Sequence, residues 1–520
     1  MKIFLKEIKH DLPASLVVFF VALPLCLGIA LASGAPMFAG IIAGVIGGVV
    51  VGICSGSALG VSGPATGLTV LVITSFLKLD NSWETFFLAV FLAGVFQLIA
   101  GFLRAGGISN YIPSPVIKGM LSGIGLLIII KQIPNALGYD ANAEKLFNID
   151  ANSGIGPIDN FVNALSFVNP AAIIISVLSL FFLLIWENKF FKKKRIFQII
   201  QGPLVVVVLG IFLNILFEGG FLNVSLSEDQ LVKMPIPHSL NDFIHQFTFP
   251  DFSKIFQVEV YSVAFVIALV ASLETLLSVE ATDKLDPFKR ITPTNRELKA
   301  QGVGNMVSGL LGGLPLTQVI VRSSTNISFG GRTKVSTIVH GFLLLISAIA
   351  IPALLNKIPL ATLACILLVV GYKLAKPVIF IRMYKLGMDI FIPFISTIIG
   401  MVVFDLLTGI AIGFIIAVLY FLKSGLRNPF GNLFVLSKKT DENNSEYELV
   451  LPENISFFNK AKLIDTLNSI PGNSKLIIDG SKSTIIHHDV VQVIKYYQLN
   501  AVAKKIDVKT INLDFKRFSW

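Results

Sequence analysis

Apolar positions in this chain neither alternate nor repeat at helical spacing; they come in long blocks. Apolar runs of about 20 residues, enough to cross a bilayer, lie near 14–32, 37–54, 85–103, 114–132, 169–186, 202–217, 260–279, 336–355, 386–404 and 407–423. Shorter or interrupted runs lie near 64–77, 296–312, 315–328 and 360–375. Together they predict fourteen membrane-spanning segments. After residue 425 the pattern changes. "YELVLP", "KLIIDG" and "VKTINL" alternate as strands do, and "FFNKAKLIDTLNSI" and "DVVQVIKYYQLNAVAKK" have helical spacing. The domain plan is therefore a transmembrane domain over 1–425, a polar linker over 426–445, and a small cytosolic α/β domain over 446–520.

Composition supports this reading: 54% of residues are hydrophobic and 14% charged, where soluble domains carry about 25% charged residues. The first apolar run has no cleavage motif after it and reads as a first span, not a removed signal peptide. A net charge of +10 would suit a nucleic-acid partner if it formed a patch. Most of the Lys and Arg instead fall in short loops between apolar runs, which reports orientation and excludes nucleic acid. Basic loops at 187–197, 283–299 and 372–385 are all cytoplasmic if the N-terminus is. The longer, Lys-poor loops 133–168 and 218–259 then lie outside, and both chain ends are cytoplasmic in a multi-pass inner-membrane protein.

Two interrupted segments stand at matching places. "GVSGPATGLTVLV" (60–72) and "GLPLTQVIVRSSTN" (313–326) each form the third span of a seven-span half. The halves run over about 12–217 and 258–425, and their odd span number makes them inverted repeats. Broken helices at corresponding positions of two halves mark a transporter's binding site near the bilayer midplane. A half-helix starting there turns free N–H groups and a positive dipole end toward an anion. Pro64 and Pro315 suit a first helical turn. Ser62, Ala65, Thr66, Thr69, Thr317, Gln318, Ser323 and Ser324 line the two openings, and Arg322 makes the pocket electropositive. In the plainer alternative Arg322 reaches the cytoplasmic surface or ties two helices together, and Gly63 and Gly67 are close-packing faces.

Glu274 follows more than a dozen uncharged residues in "VAFVIALVASLETLLSVEATDKL". A carboxylate inside a membrane is expensive and is read first as functional. It would bind a coupling H+ or Na+, with Ser278 one turn on; the alternative is burial against Arg322 or backbone donors. His340 is expected to be a satisfied interhelical histidine. Cys26, Cys54 and Cys365 are expected to be packing residues. No cysteine or spaced histidine completes a metal site around His487, His488 and Asp489, and no cofactor is expected. A membrane enzyme would need a cluster of His, Asp or Ser at one face. A receptor would leave the paired broken helices without a purpose.

"DLPASLVVFFVALPLCLGIALASGAP", "GVSGPATGLTVLV", "ASLETLLSVEATDKL", "NRELKAQGVGNMVSGLLGGLP" and "VIVRSSTNISFGGRTKVSTIVHG" resemble, in order, the sulfate permease (SulP) family of anion transporters over roughly 10–425. The region after 446 resembles the STAS domain that members carry. The resemblance implies a 7+7 inverted repeat with core and gate domains, an anion held between half-helical spans 3 and 10, and usually a homodimer. It puts Arg322 at the family's pocket arginine and Glu274 at the acidic span-8 position. Val319 and Ile320 stand where sodium-coupled relatives have small and hydroxyl residues, which favours protons. Leu25 stands where many sulfate carriers have Gln, which ranks bicarbonate above sulfate. His487 and His488 replace the Asp-Ser pair of phosphorylatable STAS domains, leaving an assembly or regulatory role. The implied function is secondary active transport of bicarbonate or sulfate, by symport with H+ or Na+. An uncoupled anion channel or exchanger of the same fold is the alternative.

Overall fold

The computed structural model describes residues 2–138, 168–186, 201–237, 239–404, 406–423, 434–441, 444–452, 454–455, 457–483, 485–501 and 505–513. The basic loop at 187–197 and most of the loop at 133–168 lie outside the described residues.

All fourteen apolar runs contain helix. The first half holds α1 (Lys2–Ala32), α2 (Met37–Cys54), β1 (Ser62–Pro64), α3 (Thr69–Lys78), α4 (Trp83–Phe102), α5 (Ser114–Ala136), α6 (Pro170–Trp186) and α7 (Gly202–Glu218). The second holds α8 (Val258–Leu285), α9 (Thr294–Leu310), β2 (Leu316–Gln318), α10 (Ile320–Ser328), α11 (Val335–Ala350), α12 (Leu360–Leu374), α13 (Pro377–Leu386), α14 (Met388–Val403) and α15 (Leu406–Lys423). The outer helices keep apolar side chains on their outward faces. In α6, Ala171, Ile175 and Ser179 are buried while Val177, Phe181 and Leu184 are exposed, a pattern suited to lipid contact.

Chain packing divides the residues into two units, one of 1–106 with 124–375 and one of 107–123 with 376–520. In the first, α1 packs on α2, α10, α11 and α12, and α4 packs along α8 and α9. Glycines permit the α4–α9 approach: a β-carbon on Gly94 would sit 2.5 Å from the Gly302 carbonyl oxygen, and one on Gly309 would sit 2.5 Å from the Phe91 nitrogen. Small residues at such a crossing let backbones approach closely where lipid gives no hydrophobic drive.

In the second unit, α14 packs on α15 and the C-terminal α/β region follows. Its strands are β3 (Val435–Asp441), β4 (Asn444–Val450), β5 (Asn454–Ile455), β6 (Lys475–Asp479), β7 (Ile485–Ile486) and β8 (Asp507–Ile511), with helices α16 (Lys460–Asn468) and α17 (His488–Ala501). The main sheet runs β3-β4-β6-β8, antiparallel in its first pair and parallel in the others. Leu449, Leu463, Leu467, Leu476, Ile478, Val490 and Ile494 form its core. The polar stretch read as linker thus supplies a strand at 435–441. Its own pattern is weak, and pairing with β4 holds it. At the start of α17, Asp489 accepts from the Ser114 backbone N–H at 3.0 Å and from the Ser114 hydroxyl, at the first residue of α5.

Candidate anion site

The two interrupted segments meet as strands before they become helices. β1 and β2 pair antiparallel, with Ser62 opposite Gln318, Gly63 opposite Thr317 and Pro64 opposite Leu316. The chain after β1 passes through a 3₁₀ turn at Thr66–Leu68 into α3, and β2 leads into α10 through Val319. Pro64 therefore lies in a strand and Pro315 just before one, not in a first helical turn. The physical reason is that extended pairing satisfies backbone groups that a broken helix at this depth would orphan. Neither α3 nor α10 has a side-chain cap at its N-terminus.

A polar stripe on α9 holds this bridge in place. Glu297, Gln301, Asn305 and Ser308, all fully buried, recur at intervals of four, four and three and so share one helix face. The Asn305 amide donates to the Leu316 carbonyl at 3.1 Å and accepts from the Leu316 N–H at 2.8 Å, acting as a third strand. Gln301 donates to Ser62 Oγ at 2.7 Å and to Glu297 at 2.9 Å. Glu297 also accepts from Ser55 Oγ at 2.5 Å and the Gly56 N–H at 3.2 Å. Ser308 donates to the Leu314 carbonyl. None of these four residues stood out in the sequence. Their signal was the four-residue spacing in "ELKAQGVGNMVS", which a hydropathy reading passes over.

Arg322, in the first turn of α10, is fully buried. One terminal nitrogen, Nη2, donates to Cys26 Sγ of α1 at 3.3 Å. Nε and Nη1 have no partner among the described residues. Its Nη1 lies over Gly63 of β1, so closely that any β-carbon there would collide with it. Among the described residues no carboxylate pairs with this guanidinium. It neither reaches the surface nor neutralises Glu274. A permanently charged buried group without a counter-charge is costly, and a bound anion is the group that would offset that cost. Cys26, expected only to pack, is its one protein partner among the described residues.

Glu274 lies on α8. Its carboxylate lies over Gly67, and its Oε2 is buried without a partner among the described residues. Ser278 is buried one turn on, and its carbonyl accepts from Thr282 Oγ1 at 2.6 Å.

The neutral donors divide. Ser323 Oγ accepts from the Val61 N–H at 3.0 Å and donates to the Val319 carbonyl at 2.9 Å. Gln318 takes Thr275 Oγ1 with its N–H at 3.3 Å and Thr282 Oγ1 with its amide at 3.0 Å. Ser62 is held by Gln301. Among the described residues the Thr317 hydroxyl reaches only the neighbouring carbonyl of Gln318, at 3.3 Å. Ser324 donates to Val321 of its own helix. Pro64 and Ala65 are buried and Thr66 is half-buried at the 3₁₀ turn. Several predicted site residues therefore build the bridge, and Arg322 is the strong donor with unfilled positions. His340, on α11, is half-satisfied: Nδ1 lies 2.7 Å from the Thr337 carbonyl, and Nε2 has no partner among the described residues.

The sulfate permease family model matches residues 8–396. The chain belongs to the sulfate permease family. It is 30% identical to YvdB of Bacillus subtilis (strain 168), named for sulfate transport, over 81% of this chain and 74% of that protein. It is 27% identical to the bicarbonate transporter BicA of Picosynechococcus sp. (strain ATCC 27264 / PCC 7002 / PR-6), over 80% of this chain and 70% of that protein. The transmembrane domain of a cyanobacterial BicA superposes with a TM-score of 0.64 at 25% identity, covering 79% of this chain and 97% of that one. SLC26A9 matches in fold, with a TM-score of 0.67 at 15% identity over 99% of this chain and 86% of that one. This permease is thus a multi-pass membrane anion transporter with a STAS-like C-terminal region, and not an enzyme.

Proposed function

We propose that this permease moves a small inorganic anion, bicarbonate or sulfate, across the cell inner membrane by secondary active transport. The observation that carries the reading is Arg322. Two unfilled guanidinium nitrogens sit beside the β1–β2 bridge, where two uncapped helix N-termini begin. An anion there would take up the missing hydrogen bonds and the missing charge together. Core and gate domains move against each other to expose the site to each side in turn. Glu274 and Ser278 take the coupling H+ or Na+. Their support is Glu274 Oε2, buried over Gly67 and unpartnered among the described residues. The transporter works as a homodimer with both chain ends in the cytoplasm. The basic loops at 283–299 and 372–385 support that orientation.

The test is uptake of labelled bicarbonate and labelled sulfate into proteoliposomes, each with and without an inward proton or sodium gradient. Accumulation driven by one gradient establishes symport and names cargo and ion. Equilibration without accumulation under every gradient means a channel or exchanger, and Glu274 is then structural.

A further inference from the structure

Cys26 is the one side chain among the described residues that holds Arg322, and the transport cycle proposed above gives it no task. It lies on α1, wholly buried, and its Sγ accepts a hydrogen bond from Arg322 Nη2 at 3.3 Å. The helix α2 also packs against this thiol. A β-carbon on Gly44 would sit 2.6 Å from Cys26 Sγ. One on Gly40, four residues earlier and on the same face of α2, would collide with the Cys26 carbonyl oxygen. Two glycines of α2 therefore admit the backbone and the sulfur of Cys26 together, and the sulfur has Gly44 and the guanidinium as neighbours.

What the thiol does for the guanidinium follows from the chemistry of both. A guanidinium is planar, and its five N–H donors point in fixed directions. Two contacts set its orientation here: Sγ takes a hydrogen of Nη2, and Gly63 of β1 lies against Nη1 and Cζ. Nε and Nη1 are left without a partner among the described residues. A thiol is a weak acceptor and brings no counter-charge. A carboxylate in its place would form the charge-assisted pair that Arg322 lacks, and would compete with an anion for it. The thiol orients the cation and leaves its charge unspent.

We propose that Cys26 is a positioning residue of the anion site: its thiol fixes the Arg322 guanidinium from α1, so that Nε and Nη1 stay available to the anion, and it does so without neutralising the charge. The proposal rests on the reading of Arg322 as the anion's ligand. Two properties of the side chain matter, an acceptor atom and the lack of charge, and substitution separates them. Serine keeps a neutral acceptor, and it stays neutral where a thiol can ionise. Alanine removes the acceptor. Aspartate keeps an acceptor and adds the charge.

Uptake by proteoliposomes of the full chain, measured over a range of bicarbonate and of sulfate concentrations, tests this. For whichever of the two anions the wild type takes up, Cys26→Ala should raise the half-saturating concentration about tenfold, the scale of one hydrogen bond to a charged group. The maximal rate should change less, by about twofold at most. Cys26→Ser should bring half-saturation back to within about threefold of the wild type. Cys26→Asp should abolish uptake while detergent melts still show a folded protein. Wild-type half-saturation in Cys26→Ala overturns the proposal. So does a Cys26→Ser variant as impaired as Cys26→Ala, since a thiolate or the packing of sulfur would then be what matters. Aspartate that transports like serine overturns it as well. Should Cys26→Asp fail to fold, the alanine and serine variants still decide. Arg322→Ala separates the two failures: if it transports normally, the Arg322 site itself is wrong; if it is dead while Cys26→Ala keeps wild-type half-saturation, only the role of Cys26 is wrong.

Discussion

The carboxylate of Glu274 lies directly over Gly67, where a β-carbon would come within 2.6 Å of Oε2. Four residues earlier, Gly63 lies in the same way under Arg322. The stretch "SGPATG" thus meets a buried cation through one glycine and the carboxylate of half-buried Glu274 through the next, with no salt bridge between the two charges among the described residues. Each charge keeps unfilled hydrogen-bonding positions on the same short segment.

Filling either glycine should be felt at its own charge. Gly63→Ala forces Arg322 aside and should cut uptake at least tenfold at every gradient. Gly67→Ala displaces Glu274 and should weaken the dependence on the driving ion more than anion binding. Overpacking of this kind costs about 1–3 kcal/mol, so both variants should still fold. Uptake assays beside detergent melts check this, and wild-type rates for Gly63→Ala would show that the contact with Arg322 is not needed.

Arg322→Ala should abolish uptake while expression and assembly persist. Arg322→Lys should restore little, since one ammonium cannot replace a planar fork of donors shared between Cys26 and an anion. Lysine at wild-type rates would mean that only charge matters at this position.

For Glu274→Gln the expected outcome is loss of ion dependence with anion binding retained, because the amide keeps the shape and removes the titratable charge. Binding is followed by anion-dependent melting, and ion dependence by uptake with and without each gradient. If the ion dependence survives, coupling resides elsewhere.

Asn305→Ala removes both side-chain partners of the buried Leu316 backbone. Orphaning two such groups should cost about 2–4 kcal/mol, visible as a lower melting midpoint. A melting curve like the wild type's would show the bridge holds without α9.

In the C-terminal region, burial pushes the His488 imidazole down to about 4; Asp489 opposes this, while Lys118, His487 and Lys495 add to it. The unfolded chain takes up this proton near its ordinary 6.5, so between about 4 and 6.5 the unfolded state binds more protons. Stability of this region should therefore be full above that window and fall as pH drops through it, by on the order of 3 kcal/mol. Asp489, fully buried against Ser114, is held below the ordinary carboxylate range, against the effect of its burial, by His487, Ser114 and Lys460. It stays charged throughout the window. Hydrogen exchange over 488–501 in the full chain, corrected for intrinsic rate, should accelerate between pH 7.5 and 5. His488→Gln should flatten that response, and an unchanged slope would put the sensitivity on another group.

The spans, the paired interrupted segments and the two membrane-buried charges follow from the chain alone. Their cause is local: about 20 apolar residues must be helical in lipid, and a lone Arg or Glu among them stands out by its cost. Tertiary structure decided the rest. Ser62 meets Gln301 across 239 positions and Val61 meets Ser323 across 262, so no local pattern distinguishes a hydroxyl that holds backbone from one left for an anion. The extended form of Ser62–Pro64 likewise exists only because Leu316–Gln318 is there to pair with it. The Val435–Asp441 strand needs β4 in the same way. A residue's chemistry is written in its identity, but whether its hydrogen bonds are already spent depends on which distant neighbours the fold brings to it.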